Sequence, residues 1–145
     1  MDSLDFLGGY VALPPRDLLT WEQDDIPSGP AAYIFIAKRS FLYPRGKSPV
    51  FYVGQSSSLR RRLYRHKMAI RRAGDERLLA VYRPITEYAA SFGANVAVVP
   101  LKKNPREVEF KLLAAFMDEF HGLPVANSAV NWRNVREHLN NPGEL

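Results

Sequence analysis

The sequence predicts an α+β domain in which a small three-stranded sheet, antiparallel or mixed, is flanked by helices. Three observations predict it. Runs rich in aromatic and β-branched residues lie at 32–37, 50–54 and 95–99. Apolar residues recur at helical spacing after Ser58 and after Asn104. The chain has 145 residues, 46% of them hydrophobic, and no cysteine, so one domain-sized core must hold without disulfides.

In chain order, residues 1–28 carry six acids and one base, and Pro14-Pro15 and Pro27-Ser28-Gly29-Pro30 break any regular run. They predict an irregular acidic N-terminal arm with a helical turn near Asp17–Trp21, able to pack beside a domain spanning 29–145. Ala32–Ala37 and Val50–Gly54 predict the first two strands. Between them, Pro44, Gly46 and Pro49 predict a long basic loop over Lys38–Pro49, not a tight hairpin turn. Ser57 or Ser58 caps a helix with the seam Leu59, Leu63 and Ile70. After Gly74, two shorter helical pieces, Asp75–Tyr82 and Pro84–Phe92, divide at Pro84, and Gly93 closes them. Asn95–Val99 is the third strand. Asn104 as N-cap, Pro105 in the first turn, Glu107 as a capping-box acid and Gly122 past the end bound a helix to His121. The remainder from Leu123 reads as loop, with a terminal helix at Asn134–Leu139.

Composition narrows the function classes. Without cysteine, thiolate metal sites, zinc fingers and cysteine nucleophiles are excluded, and a reducing compartment suits the chain. No signal-peptide pattern opens the sequence and no apolar run approaches a membrane span, so a cytoplasmic protein with no membrane association is expected. Net charge is +5, unevenly spread: residues 38–83 hold thirteen bases against two acids. A basic block of that kind is the footprint of a phosphate-backbone binder, and also of a merely solvated surface.

Within the helices, three polar residues sit where apolar ones belong. Leu112, Leu113, Phe116 and Phe120 follow Glu109 by three, four, seven and eleven residues, which places the carboxylate near the centre of an apolar stripe. Unless it meets a cation, a metal or good donors, such an acid costs several kcal/mol in desolvation. A buried ion pair with an arginine would also explain it. Arg62 and His66, one turn apart, project onto the seam of the Leu59 helix, whereas Arg61, Arg65 and Arg72 project roughly opposite. Tyr33 and Tyr52 each sit inside a strand-like run, where aromatic packing is the ordinary role. Taken together, the five residues suggest a shared site.

Ala31-Ala32-Tyr33, Tyr52-Val53-Gly54, Arg62-x-x-x-His66, Glu109 and Asn127 occur in that order. The arrangement resembles the GIY-YIG endonuclease superfamily over roughly residues 26–128. Ala31 stands where the first signature has glycine, the gap between signatures is longer than usual in the family, and Gln55 stands where many members have lysine. The resemblance implies metal-dependent endonucleolytic hydrolysis of DNA phosphodiesters, with Tyr33, Tyr52, Arg62, His66 and Glu109 catalytic and Glu109 the metal ligand.

Few acids point inward, which suits one metal, and a hard oxygen ligand suits Mg²⁺ or Mn²⁺. Arg62 would neutralise charge developing on the phosphate. A phenol of ordinary pKa about 10 is ionised to roughly one part in a thousand at pH 7, so neither tyrosine acts as a base unaided. A neighbouring cation or proton transfer to His66 would assist, and the residues leave open which tyrosine does what. Arg60, Arg61, Arg65, Lys67, Arg71 and Arg72 are assigned to phosphate contact without sequence reading. Gly54, Gln55 and Asn127 would support the site. A DNA enzyme that is structure-selective, weakly specific, or helped by a protein partner or a homodimer is expected. The alternatives are a non-catalytic nucleic-acid-binding module of the same fold and a structural adaptor using the acidic arm.

Overall fold

The computed structural model describes residues 3–73 and 83–130. The expected helices at Asp75–Tyr82 and Asn134–Leu139 lie outside the described residues. The fold is α+β, with four antiparallel strands, β1 (Arg16–Asp17), β2 (Ala31–Tyr43), β3 (Gly46–Ser56) and β4 (Asn95–Pro100), in the spatial order β1-β4-β2-β3. The helices are α1 (Leu59–Arg71), α2 (Arg83–Phe92), α3 (Pro105–Phe120) and the short α4 (Val125–Val130).

Three of these strands match the expected runs, and the fourth is a correction. Arg16 and Asp17, expected in an irregular arm, pair with Val96 and Asn95 at the free edge of β4. Leu18, Trp21 and Ile26 from the same segment are buried in the core. Their apolar side chains dock the arm, whose acids remain outside.

Alternation along the strands sends side chains to two covered faces. On one face, Ala31, Tyr33, Phe35, Val96 and Val98 pack against Leu59, Leu63 and Ile70 of α1 and Ile85 and Ala89 of α2. On the other, Ala32, Ile34, Val53, Ala97 and Val99 pack against Val108, Leu112 and Phe116 of α3, with Phe6 and Leu7. Burial on both faces explains why the strand runs are continuously apolar.

The expected loop over Lys38–Pro49 is instead the far half of a long hairpin turning at Pro44-Arg45. The ladder is interrupted between Ile36/Val50 and Phe41/Ser48, where β2 carries the extra residues in an irregularity. Gly46, at φ 118°, supplies the backbone that the tip requires. Tyr43 then locks the hairpin: its hydroxyl donates to the Val50 carbonyl at 2.7 Å and accepts from the Val125 amide at 3.2 Å. Burial pushes this phenol up to about 12. Contacts distant in sequence override the local loop signals of Pro44, Gly46 and Pro49.

At α3, Pro105 opens the helix as expected, but Asn104 makes no side-chain cap and adopts left-handed backbone, φ 56° and ψ 51°. Glu107 pairs with Lys111 at 3.2 Å on the surface. Val125–Val130, expected as loop, forms α4 against β3 and α2. Among the described residues no helix is long and apolar enough to cross a membrane.

Candidate active site

Tyr33 lies on the central strand with its side chain directed to the α1 face, fully buried. Its hydroxyl is 2.8 Å from Nε2 of His66, which α1 lowers onto that face from its inward seam. Tyr52 joins them: its ring centroid lies 6.0 Å from that of Tyr33 and 6.0 Å from that of His66. Tyr52 is partly open to solvent, whereas Tyr33 and His66 are not. The structure therefore ranks the two phenols by access. Burial first, and the Arg62 guanidinium second, hold His66 down at about 3, so its imidazole is neutral at physiological pH.

Gly54 is the position that lets both rings in. It pairs directly with Tyr33 across the ladder. A Cβ there would lie 2.5 Å from Cζ and 2.6 Å from the hydroxyl of Tyr33, and 2.7 Å from Cε2 of Tyr52. Any side chain would occupy space that the tyrosines fill. Gln55, one residue further, alternates onto the α3 face with Val53.

Asn127, in the first turn of α4, grips the residue between Tyr52 and Gly54. Its side-chain oxygen accepts from the Val53 amide and its nitrogen donates to the Val53 carbonyl, each at 2.8 Å. The amide behaves like one residue of a neighbouring strand.

Arg62, half-buried on α1, brings the two helices into electrostatic contact. It lowers the pKa of His66 and pulls down that of Glu109 on α3. For Glu109, burial is the largest influence and raises the carboxyl above its ordinary range, with Arg106 and then Arg62 opposing it. Arg106 is a neighbour that the sequence reading passed over. One helical turn before Glu109, at a spacing of three, it was readable in principle.

The basic residues divide in a way the sequence did not reveal. Arg61, Arg65, Arg71 and Arg72 are exposed on α1. Arg60 instead donates to the backbone carbonyls of Ile26 at 2.8 Å and Asp24 at 3.1 Å, while its own carbonyl accepts from Gln23. Lys67 is buried, with its ammonium on the Trp21 carbonyl. These two side chains fasten the N-terminal segment to α1.

Among the described residues no group of three or more His, Cys, Asp or Glu is placed to hold a metal ion. The chain matches no protein-family model, no curated protein and no solved structure.

Proposed function

We propose that this protein is a metal-dependent endonuclease of the GIY-YIG type, hydrolysing DNA phosphodiesters with one divalent cation. The reading rests on one observation: Tyr33, Tyr52 and His66 meet over Gly54, beside an arginine whose charge reaches both His66 and Glu109. In the signature order these are the residues that the resemblance assigns to catalysis.

The donor set fits Mg²⁺ or Mn²⁺. A single carboxylate is enough for such an ion when water and substrate phosphate complete its shell, and Glu109 is a partly desolvated acid that a cation would stabilise. His66 is not required as a ligand, since its Nε2 is engaged by Tyr33. When bound, the cation supplies Lewis-acid neutralisation of charge at the scissile phosphate.

The remaining chemistry belongs to the chain. Arg62 pairs with the non-bridging oxygens, where a guanidinium offers two parallel donors. Tyr52, the solvent-accessible phenol, meets the attacking water. Tyr33 and His66 act behind it as a hydrogen-bonded pair that fixes its ring. Burial chiefly, and Arg62 second, disfavour the imidazolium, so engagement of Arg62 by phosphate lessens the second of these influences on His66. Substrate binding and readiness to accept a proton are thereby coupled. Exposed Arg61, Arg65 and Arg72 contact the backbone of the duplex.

Supercoiled plasmid incubated with the protein and Mg²⁺ or Mn²⁺ is expected to be nicked, and Glu109→Ala to abolish nicking while DNA binding persists. Inactivity toward several DNA forms with both metals would defeat the catalytic claim. Complete burial of Tyr33 and His66 favours one second reading, a nucleic-acid-binding module without turnover. That module would bind DNA with the salt dependence of counterion release and no metal requirement.

A further inference from the structure

Residues 19–23 and the second half of α1 enclose a cleft of about 250 Å³, lined by Trp21, Glu22, Gln23, Tyr64, Lys67 and Arg71 among others. Lys67 has only 5% of its surface exposed. Its ammonium carries three donors, yet among the described residues its one hydrogen bond goes to the Trp21 carbonyl. Glu22 acts on it electrostatically but forms no ion pair with it among the described residues, and a buried cation so partly compensated is unfavourable unless something supplies further acceptors and negative charge. Arg71 stands one helical turn further on and faces the same cleft. Like charges at that spacing repel, and neither side chain forms an ion pair among the described residues. Glu22 is the single acid in the lining, which leaves an excess of positive charge. The indole Nε1–H of Trp21, in the same wall, is buried without an acceptor.

Attraction to the carboxyl end of α1 would account for an exposed cation such as Arg71. It does not account for a lysine with so little of its surface exposed. We propose that this cleft binds a phosphate-type oxyanion, clamped between the Lys67 ammonium and the Arg71 guanidinium. Desolvation and then Arg71 depress the pKa of Lys67, with Glu22 opposing them, and the charge of an anion between the two cations would offset that depression. The cleft is large enough for one phosphoryl group, which could belong to the 5′ end of a nucleic-acid strand or to free phosphate. The inference stands independently of the nuclease reading.

The test is calorimetric titration of the full chain with inorganic phosphate at constant ionic strength, followed by an oligonucleotide with and without a 5′-phosphate. Saturable phosphate binding is expected, weakened about tenfold or more by Arg71→Ala. Arg71 is exposed, so its removal spares the core. Lys103→Ala, which removes an exposed cation outside the cleft, is expected to leave binding intact. Tighter binding of the phosphorylated strand, erased by Arg71→Ala, assigns the site to strand ends; phosphate binding without that difference assigns it to free phosphate. The proposal is overturned if no saturable binding occurs, or if Lys103→Ala weakens it as much as Arg71→Ala.

Discussion

Replacing Gly54 with alanine tests the packing on which the candidate site depends. Carbon atoms in contact normally sit about 3.5–4.0 Å apart, but the added Cβ would lie 2.5 Å from Cζ of Tyr33 and 2.7 Å from Cε2 of Tyr52. About 1 Å of displacement is therefore forced on a ring fully enclosed in the core. Overpacking of this kind costs about 1–3 kcal/mol, and a broken Tyr33–His66 hydrogen bond adds about 0.5–1.5 kcal/mol. Gly54 is not among the glycines at positive φ, so the backbone itself tolerates alanine and the loss is steric. The expected total is about 2–4 kcal/mol, a fall in urea midpoint of roughly 1–2 M for a typical m-value. Gly29→Ala is the control: nothing lies within 4 Å of its added Cβ, and the change is expected to stay within about 0.5 kcal/mol. Equilibrium urea unfolding of both variants decides the matter. A Gly54→Ala midpoint equal to that of Gly29→Ala would refute the claim that this glycine exists to admit the two tyrosines.

Protonation of His66 should govern acid stability. Its folded pKa of about 3 lies below an unfolded value of about 6.5, so the unfolded chain binds the extra proton in between. Stability from this group is present above pH 6.5 and drains away as pH falls toward 3, and His66→Gln should flatten the pH dependence of unfolding by about one proton in that window. Glu109 has the opposite sign. Its raised pKa means that ionisation opposes folding as pH rises, so Glu109→Gln should raise the melting temperature at neutral pH while abolishing nicking and the stabilisation conferred by Mg²⁺. Asn127→Ala should cost about 1–3 kcal/mol and accelerate hydrogen exchange at the Val53 amide, because both groups of Val53 lose their partner. Arg61→Ala should reduce the salt slope of DNA binding by about one, whereas Arg60→Ala should lower stability and leave that slope unchanged. Fluorescence anisotropy across a salt series separates the two.

What the sequence made legible follows from one physical rule, that a polar residue on an apolar face needs a partner. Arg62, His66 and Glu109 violate that face, and in the fold the charge of Arg62 acts on each of the other two. Strands β2, β3 and β4 were visible as apolar runs because both sheet faces are covered. The hairpin was not, because Pro44, Gly46 and Pro49 carry local turn signals. Tyr43 overrules them by reaching Val50 and Val125, seven and 82 residues away. Lys67 and Arg60 escaped for the same reason, since their acceptors lie 46 and 34 residues distant, in a segment that reads as an irregular acidic arm. At two residues, β1 is too short to leave a periodic trace.

Asn127 has a consequence beyond the site. β3 is the outermost strand on its side, and a border of free amides and carbonyls invites annealing with another molecule. The carboxamide already fills the slot at Val53, and Pro49 offers no amide to an incoming chain. Growth of the sheet in that direction is blocked within the strand that carries Tyr52. One side chain thus fixes the backbone between Tyr52 and Gly54 and occupies the edge at which another strand would add.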